Sequence, residues 1–288
     1  MKEYIFNLIT ILFLTTCFGQ VESTQKTVKL PNNYKALIDV VYTKVGQWEG
    51  KMDIYLPQQD ETSTPLVINI HGGGWNHGSK ESQTGFGSFF KRGYAVANVE
   101  YRLVDVAPAP AAIEDVRCAL IYLLNHSKQF NIDANKIVIM GGSSGGHLAL
   151  MCGLLANDRH FDSNCEYNGE IKVAAIIDKY GVTDLVPLNN WGSAKRWLGN
   201  GFGNLDFVKS VSPIYFVDKN SPPIFIVHGD SDPIVPYSQS SELAKKLKSF
   251  GVKTKFIMVP GGKHGKFSEG KKQELNIQMW EFLNDLGL

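Results

Sequence analysis

The sequence predicts an α/β fold with a mostly parallel central sheet and helices on both faces. Three observations carry that prediction. Short apolar runs alternate with helical patterns along the chain; the runs are continuous, as in strands buried on both faces; and glycine-rich turns follow several of them. At 288 residues, with 43% hydrophobic and 20% charged residues, the chain suits one large globular domain.

The elements follow in order. After a polar linker over 20–35, the domain is expected to span 36–288. Ile38–Val45 and Met52–Leu56 read as a leading hairpin. Leu66–Ile70 and Tyr94–Val99 read as buried parallel strands, with a helix over Ser82–Arg92 between them that stops at Gly93. A helix over Ala111–Phe130 places Ile113, Val116, Ala119, Leu120, Leu123 and Leu124 at helical spacing. Lys136–Met140 is a strand, Gly141–Gly146 a sharp turn, and His147–Leu155 the helix after it. Strands over Val173–Ile177 and Ile224–Val227, a helix over Ser238–Phe250, a strand over Thr254–Val259 and a helix over Ser268–Leu286 complete the pattern. There is no internal repeat or second hydrophobic core. The one long irregular stretch, 183–218, carries Trp191, Trp197, Phe202 and Phe207, and reads as a small aromatic-rich insertion able to form a lid.

The net charge is +1 and no Lys/Arg cluster exceeds a pair, so there is no footprint for nucleic acid. A small neutral or weakly charged substrate is the expected partner class. Residues 1–19 read as a signal peptide cleaved after Gly19, because the apolar stretch ending at Leu14 is too short and interrupted for a stable membrane span. The alternatives are a lipoprotein anchored through Cys17 and an uncleaved apolar anchor. All three place the protein outside the cytoplasm. If Cys17 leaves with the leader, Cys118, Cys152 and Cys165 remain, an odd number that allows at most one internal disulfide. Cys152 with Cys165 would close a short loop; buried free thiols are the simpler alternative.

The residues that carry chemistry lie at strand ends. Gly141-Gly142-Ser143-Ser144-Gly145-Gly146 fits Gly-X-Ser-X-Gly in two registers, and a strand before and a helix after make it a serine turn of the kind that presents a nucleophile. A serine hydroxyl needs a base to take its proton and a carboxylate to orient that base. His264 follows the last strand, and both Asp232 and Asp230 follow the one before; Asp184 is a more distant candidate. Asp230 suits a turn-organising role through its own side chain. His71-Gly72-Gly73-Gly74-Trp75 follows Leu66–Ile70 and can turn backbone N–H groups toward a developing oxyanion. The remaining histidines lack metal-ligand spacing, and the glycine loop lacks a Gly-Lys-Ser/Thr ending, so neither a metal nor another cofactor is expected.

With the chain order serine, aspartate, histidine, these stretches resemble the α/β-hydrolase superfamily, in its hormone-sensitive-lipase-like and feruloyl/acetyl-xylan-esterase-like branch. Met52–Pro57, Glu100–Leu103, Pro110–Asp115 and Gly145–Ala149 support the likeness from about Ile38 onward. The resemblance implies an α/β-hydrolase fold, Ser143 as nucleophile with Asp232 and His264, and an oxyanion hole from the N–H groups of Gly73, Gly74 and Ser144. Trp75, Trp191 and Trp197 are expected near the substrate. The segment Val104–Pro110 departs from the family's acidic and aromatic pattern, and a large N-terminal cap is missing, which implies a more open site. The implied activity is serine carboxylic-ester hydrolysis on polysaccharide-derived acetyl or feruloyl esters. The same three residues also serve an amidase, formamidase or peptidase; a catalytically inactive binding protein of this fold is the alternative of another class.

Overall fold

Alternate residues of the central strands divide between two hydrophobic cores, one on each face of a single sheet, so the one core that the sequence suggests is split by the sheet within one domain. The computed structural model describes residues 27–58, 63–188 and 190–288. The stretch read as a signal peptide, the alternative anchor at Cys17 and most of the linker lie outside the described residues. Eight strands form one sheet: β1 (Tyr34–Val45), β2 (Trp48–Pro57), β3 (Thr64–Ile70), β4 (Ala95–Val99), β5 (Ile132–Gly142), β6 (Ala175–Lys179), β7 (Ile224–Gly229) and β8 (Thr254–Val259). Their order is β1-β2-β4-β3-β5-β6-β7-β8. The β1/β2 and β2/β4 pairs are antiparallel and the rest parallel.

On one face Ile68, Ile70, Ile137, Ile139, Ile176 and Ile226 pack under α2 (Ala111–Asn125), α3 (Ser144–Leu154) and α6 (Ser238–Ser249). On the other, Val67, Val138, Met140, Ile177, Phe225 and Val227 meet α1 (Gly87–Phe90) and α7 (Glu269–Asn284). The period of two along each strand makes this double burial possible. The sheet is thus an α/β sheet covered on both faces, as its apolar runs predict.

Three local differences from the sequence pattern have physical causes. The helix expected over Ser82–Arg92 shrinks to Gly87–Phe90, after a 3-10 turn at Lys80–Ser82. Tertiary contacts hold that segment instead: Phe86, Phe89 and Phe90 enter the second core, and Asn98 Nδ2 donates to the Lys80 carbonyl at 2.6 Å. Strand β6 runs two residues beyond Ile177, because Asp178 and Lys179 pair with Gly141 and Gly142 of β5. Cysteine pairing also differs. Cys118 of α2 bonds Cys165, with their Cα atoms 5.4 Å apart, while Cys152 is a buried free thiol. Cys152 faces α2, its Sγ near the Val116 carbonyl, so the short Cys152–Cys165 loop does not form.

Between β6 and β7 the 183–218 stretch folds into α4 (Gly192–Leu198), α5 (Leu205–Ser210) and short 3-10 turns. Trp197, Val208 and Val211 anchor it in the first core. The strand order reverses direction between β3 and β5, and ligands of open α/β sheets bind outside the carboxyl ends of strands at such a switch point. The loops after those two strands begin at His71 and Ser143.

Candidate active site

Ser143 joins β5 to α3 at φ 57°, ψ −125°, a conformation that costs a non-glycine residue energy and persists only where its surroundings enforce it. The surroundings are close backbone approaches that only glycine permits. A Cβ on Gly141 would strike the Gly145 carbonyl, and one on Gly145 would strike the Ile70 carbonyl. A Cβ on Gly146 would lie 2.5 Å from Asp178 Oδ1. Helix α3 can therefore start directly behind the serine, hard against β3 and β6. The turn holds the hydroxyl at the carboxyl end of the sheet, where the chain's strand-turn-helix pattern predicts it.

His264, on the loop after β8, reaches Ser143 Oγ through Nε2 at 2.8 Å. Its other nitrogen, Nδ1, lies 2.7 Å from Asp232 Oδ2. A carboxylate only accepts, so Nδ1–H donates to Asp232 and the neutral ring's Nε2 accepts the serine hydroxyl. The Asp232 side chain is fully buried. Its Oδ1 accepts N–H bonds from Ile234 at 2.8 Å and Val235 at 3.0 Å. Buried His228 adds a contact to Oδ2 at 3.2 Å, while its Nδ1 accepts the Ser240 hydroxyl at 2.7 Å. Burial pulls the His228 ring below the ordinary histidine range, which keeps it neutral. Asp230, the competing acid, instead accepts the Gly261 N–H at 2.7 Å and organises the turn. Asp184 is engaged elsewhere, by the Val186 N–H and the Tyr215 hydroxyl.

The glycine loop after β3 lies beside the serine. A Cβ on Gly72 would sit 3.4 Å from Ser143 Cβ. Gly73 (φ 126°) and Gly74 (φ 57°) take conformations that favour glycine, and the Gly73 carbonyl closes the turn by accepting from the N–H groups of Asn76 and His77. The N–H groups of Gly73 and Gly74 have no acceptor among the described residues. Ser144 is the first residue of α3, so its N–H has no acceptor within the helix. Three donors thus stand open around one serine.

A cleft of about 790 Å³ contains Ser143 and His264, with Gly72–Gly74, Lys179, Tyr180, Trp191 and Ile234 along its walls. Of the three tryptophans expected near the substrate, only Trp191 lines it. Trp75 and Trp197 are fully buried and stack with ring centroids 4.7 Å apart. Trp75 also donates from Nε1 to His147 Nδ1 at 3.3 Å, and His147 Nε2 donates to the Val211 carbonyl at 2.8 Å. These rings brace the glycine loop from behind and tie it to the 183–218 stretch. His71 is structural as well, stacked on Tyr101 and donating from Nδ1 to the Gly72 carbonyl.

The sequence pattern overlooked Lys179 and Tyr180. Tyr180, at φ 46°, sets its ring centroid 4.7 Å from that of His264, and its hydroxyl lies 3.2 Å from where a Gly142 Cβ would be. The signal that could have found both is their place, directly after an apolar run whose neighbours carry Ser143 and Asp232. Among the described residues no group of His, Cys, Asp and Glu could hold a metal ion, and no helix is long and apolar enough to cross a membrane.

A mostly parallel sheet with a serine turn after β5, an acid after β7 and a histidine after β8 defines an α/β-hydrolase. Residues 52–247 match the BD-FAE family model, and the chain belongs to that family. The esterase LipC of Mycobacterium tuberculosis is 27% identical over 221 residues, which cover 70% of this chain and 53% of LipC. The chain spans about half the length of the first curated relatives it matches. Among solved structures, a truncated carbohydrate esterase from gut microbiota superposes with a TM-score of 0.76 at 29% identity, covering 89% of this chain and 98% of its own. An acetyl ester-xyloside bifunctional hydrolase from Caldicellulosiruptor lactoaceticus gives a TM-score of 0.74 at 26% identity, covering 84% and 90%.

Proposed function

We propose that the protein is a serine carboxylic-ester hydrolase that works through an acyl-enzyme. The observation that carries this reading is the unbroken relay from Asp232 Oδ2 through the His264 ring to Ser143 Oγ, at 2.7 and 2.8 Å. Ser143 Oγ attacks the ester carbonyl as His264 Nε2 takes its proton; the carbonyl electron pair moves onto oxygen. The N–H groups of Gly73, Gly74 and Ser144 receive that charge, each such donor being worth about 10² to 10³ in rate. Collapse expels the alcohol, which takes the proton from His264. Water then attacks the acyl-enzyme, giving its proton to His264, and Ser143 leaves with that proton while the carboxylic acid departs. Asp232 holds the Nδ1–H tautomer throughout.

The substrates proposed are acetyl or hydroxycinnamoyl esters on polysaccharide fragments. Two things support this: carbohydrate-active esterases are structural neighbours, and polar Asn69, Ser82, Gln83 and Ser193 share the cleft wall with Trp191. Residues 183–218, which bring Trp191 and Ser193 to that wall, are proposed as its lid. An extracytoplasmic location is proposed as well, supported by the leader-like start and by the Cys118–Cys165 bond, since disulfides persist in oxidising compartments.

The test is turnover of p-nitrophenyl acetate and release of acetate from acetylated xylan, by the protein and by Ser143→Ala. The variant should lose about 10⁴-fold or more on both substrates. Retained turnover would remove Ser143 from the mechanism; activity on short peptides but not on either ester would favour amide chemistry.

A further inference from the structure

Behind the wall that Tyr180 forms on one side of the cleft lies a second cavity. It measures about 380 Å³, within the range of small-ligand sites, and opens between β5–β7 and the helices α1 and α7. Phe89, Met140, Phe225, Phe267 and Met279 form apolar walls. Neither Ser143, Asp232 nor His264 lines it. Three residues, Lys179, Tyr180 and Gly265, are common to both cavities.

Lys179 is the anomaly in this cavity. It lies in phase with Ala175 and Ile177, on the sheet face that α1 and α7 cover and that is otherwise built from Val138, Met140, Phe225 and Val227. Lys179 is partly exposed, yet its enclosure pushes the amine down from the ordinary lysine range to about 8, and the amine has no ion pair or hydrogen bond among the described residues. Buried Lys80 shows what this fold does with a structural lysine: Asp39, Asp53 and Glu81 surround it at 2.6 to 2.9 Å. Lys272, the other lysine on the cavity, is paired with Glu269 at 2.6 Å. A partly desolvated charge without a partner is disfavoured, and a bound anion would relieve that cost.

We propose that this cavity is a binding site for a small aryl carboxylate, with its ring between the phenylalanine and methionine side chains and its carboxylate on Lys179. A single uncompensated cation matches one negative charge rather than a phosphate's two. Aromatic and thioether walls favour a ring through edge-to-face and sulfur contacts. The site stands apart from the catalytic proposal, because it concerns binding at equilibrium and Ser143, Asp232 and His264 do not line it. Its ligand would nonetheless touch Tyr180, whose other side faces His264.

Calorimetric titration of the full chain with 3-phenylpropanoate and with its uncharged counterpart, 3-phenylpropan-1-ol, tests the site. The acid should bind saturably. Lys179→Met should weaken the acid by about tenfold or more, the scale of one contact to a charged group, and leave the alcohol unchanged. Lys179→Gln gives the same comparison should the methionine disturb folding. Asn276→Trp, at the partly exposed rim, should obstruct the cavity and abolish binding of both compounds while the melting temperature stays near that of the parent. The proposal is overturned by absence of saturable binding of the acid, by unchanged affinity in both Lys179 variants, or by binding that survives Asn276→Trp.

Discussion

Arg117 on α2 and the serine turn after β5 are packed in the same domain, and they treat polar groups in opposite ways. Arg117 is fully buried, and all its donors are engaged: two on the Asp162 carboxylate at 2.7 and 2.8 Å, the others on the carbonyls of Cys152, Ala156 and Asp158. Around Ser143, among the described residues, the N–H groups of Gly73 and Gly74 stand open, Asp178 Oδ2 is buried without a partner, and Lys179 lacks a counter-ion. Ser143 itself sits at positive φ. Satisfied networks fix a unique fold, whereas strain and open donors concentrate where a ligand or a transition state is to be met. The difference separates what holds this domain together from what it is built to do.

The comparison can be broken at either region, and the largest effect belongs to the site. Asp232→Asn keeps the shape of the acid but can no longer select the Nδ1–H tautomer of His264; hydrolysis of p-nitrophenyl acetate should fall about 10⁴-fold with little change in folding. A loss under tenfold would mean that the histidine is oriented by something else. At the other region, Asp162→Ala leaves Arg117 charged and buried without its acid, and urea unfolding should show a loss of about 3–5 kcal/mol. The turnover of the folded fraction should not change; a drop in kcat would show that the two regions are coupled.

The smallest effect lies beneath the serine turn. Burial pushes the Asp178 carboxyl up from 3.8 to about 7, and its one N–H donor among the described residues is Gly181. Between those values the folded protein keeps a proton that the unfolded chain has released, so this residue lowers stability as pH rises through that window and holds it lowered above it. Asp178→Asn removes the penalty. Its melting temperature should exceed the parent's at pH 8, and the two curves should meet near pH 4. Parallel curves across the range would show that Asp178 is ionised in the folded protein.

Local signals made most of the fold legible. Continuous apolar runs mark the central parallel strands, because double burial selects apolar side chains irrespective of partner, whereas β8, at the sheet edge, is only partly buried. The serine turn was readable since its glycines answer to backbone contacts within the turn itself and to the strands on either side. Long-range pairing was not. Cys118 and Cys165 meet only because α2 and the loop after α3 pack together, a tertiary outcome that spacing does not encode. Trp75 and Trp197 look like surface aromatics beside a site, but their rings find each other and His147 in the core, leaving Trp191 alone on the cleft wall. Lys179 was hidden by its polarity, which reads as the end of a strand although the strand continues through it.

The central claim is that Ser143, and not Ser144 beside it, is made nucleophilic by His264. Reaction with a fluorophosphonate probe, followed by peptide mass mapping, tests this most directly. A single adduct on Ser143, strongly reduced in His264→Ala, is the predicted result. An unlabelled protein, or an adduct on Ser144 or any other residue, would contradict it.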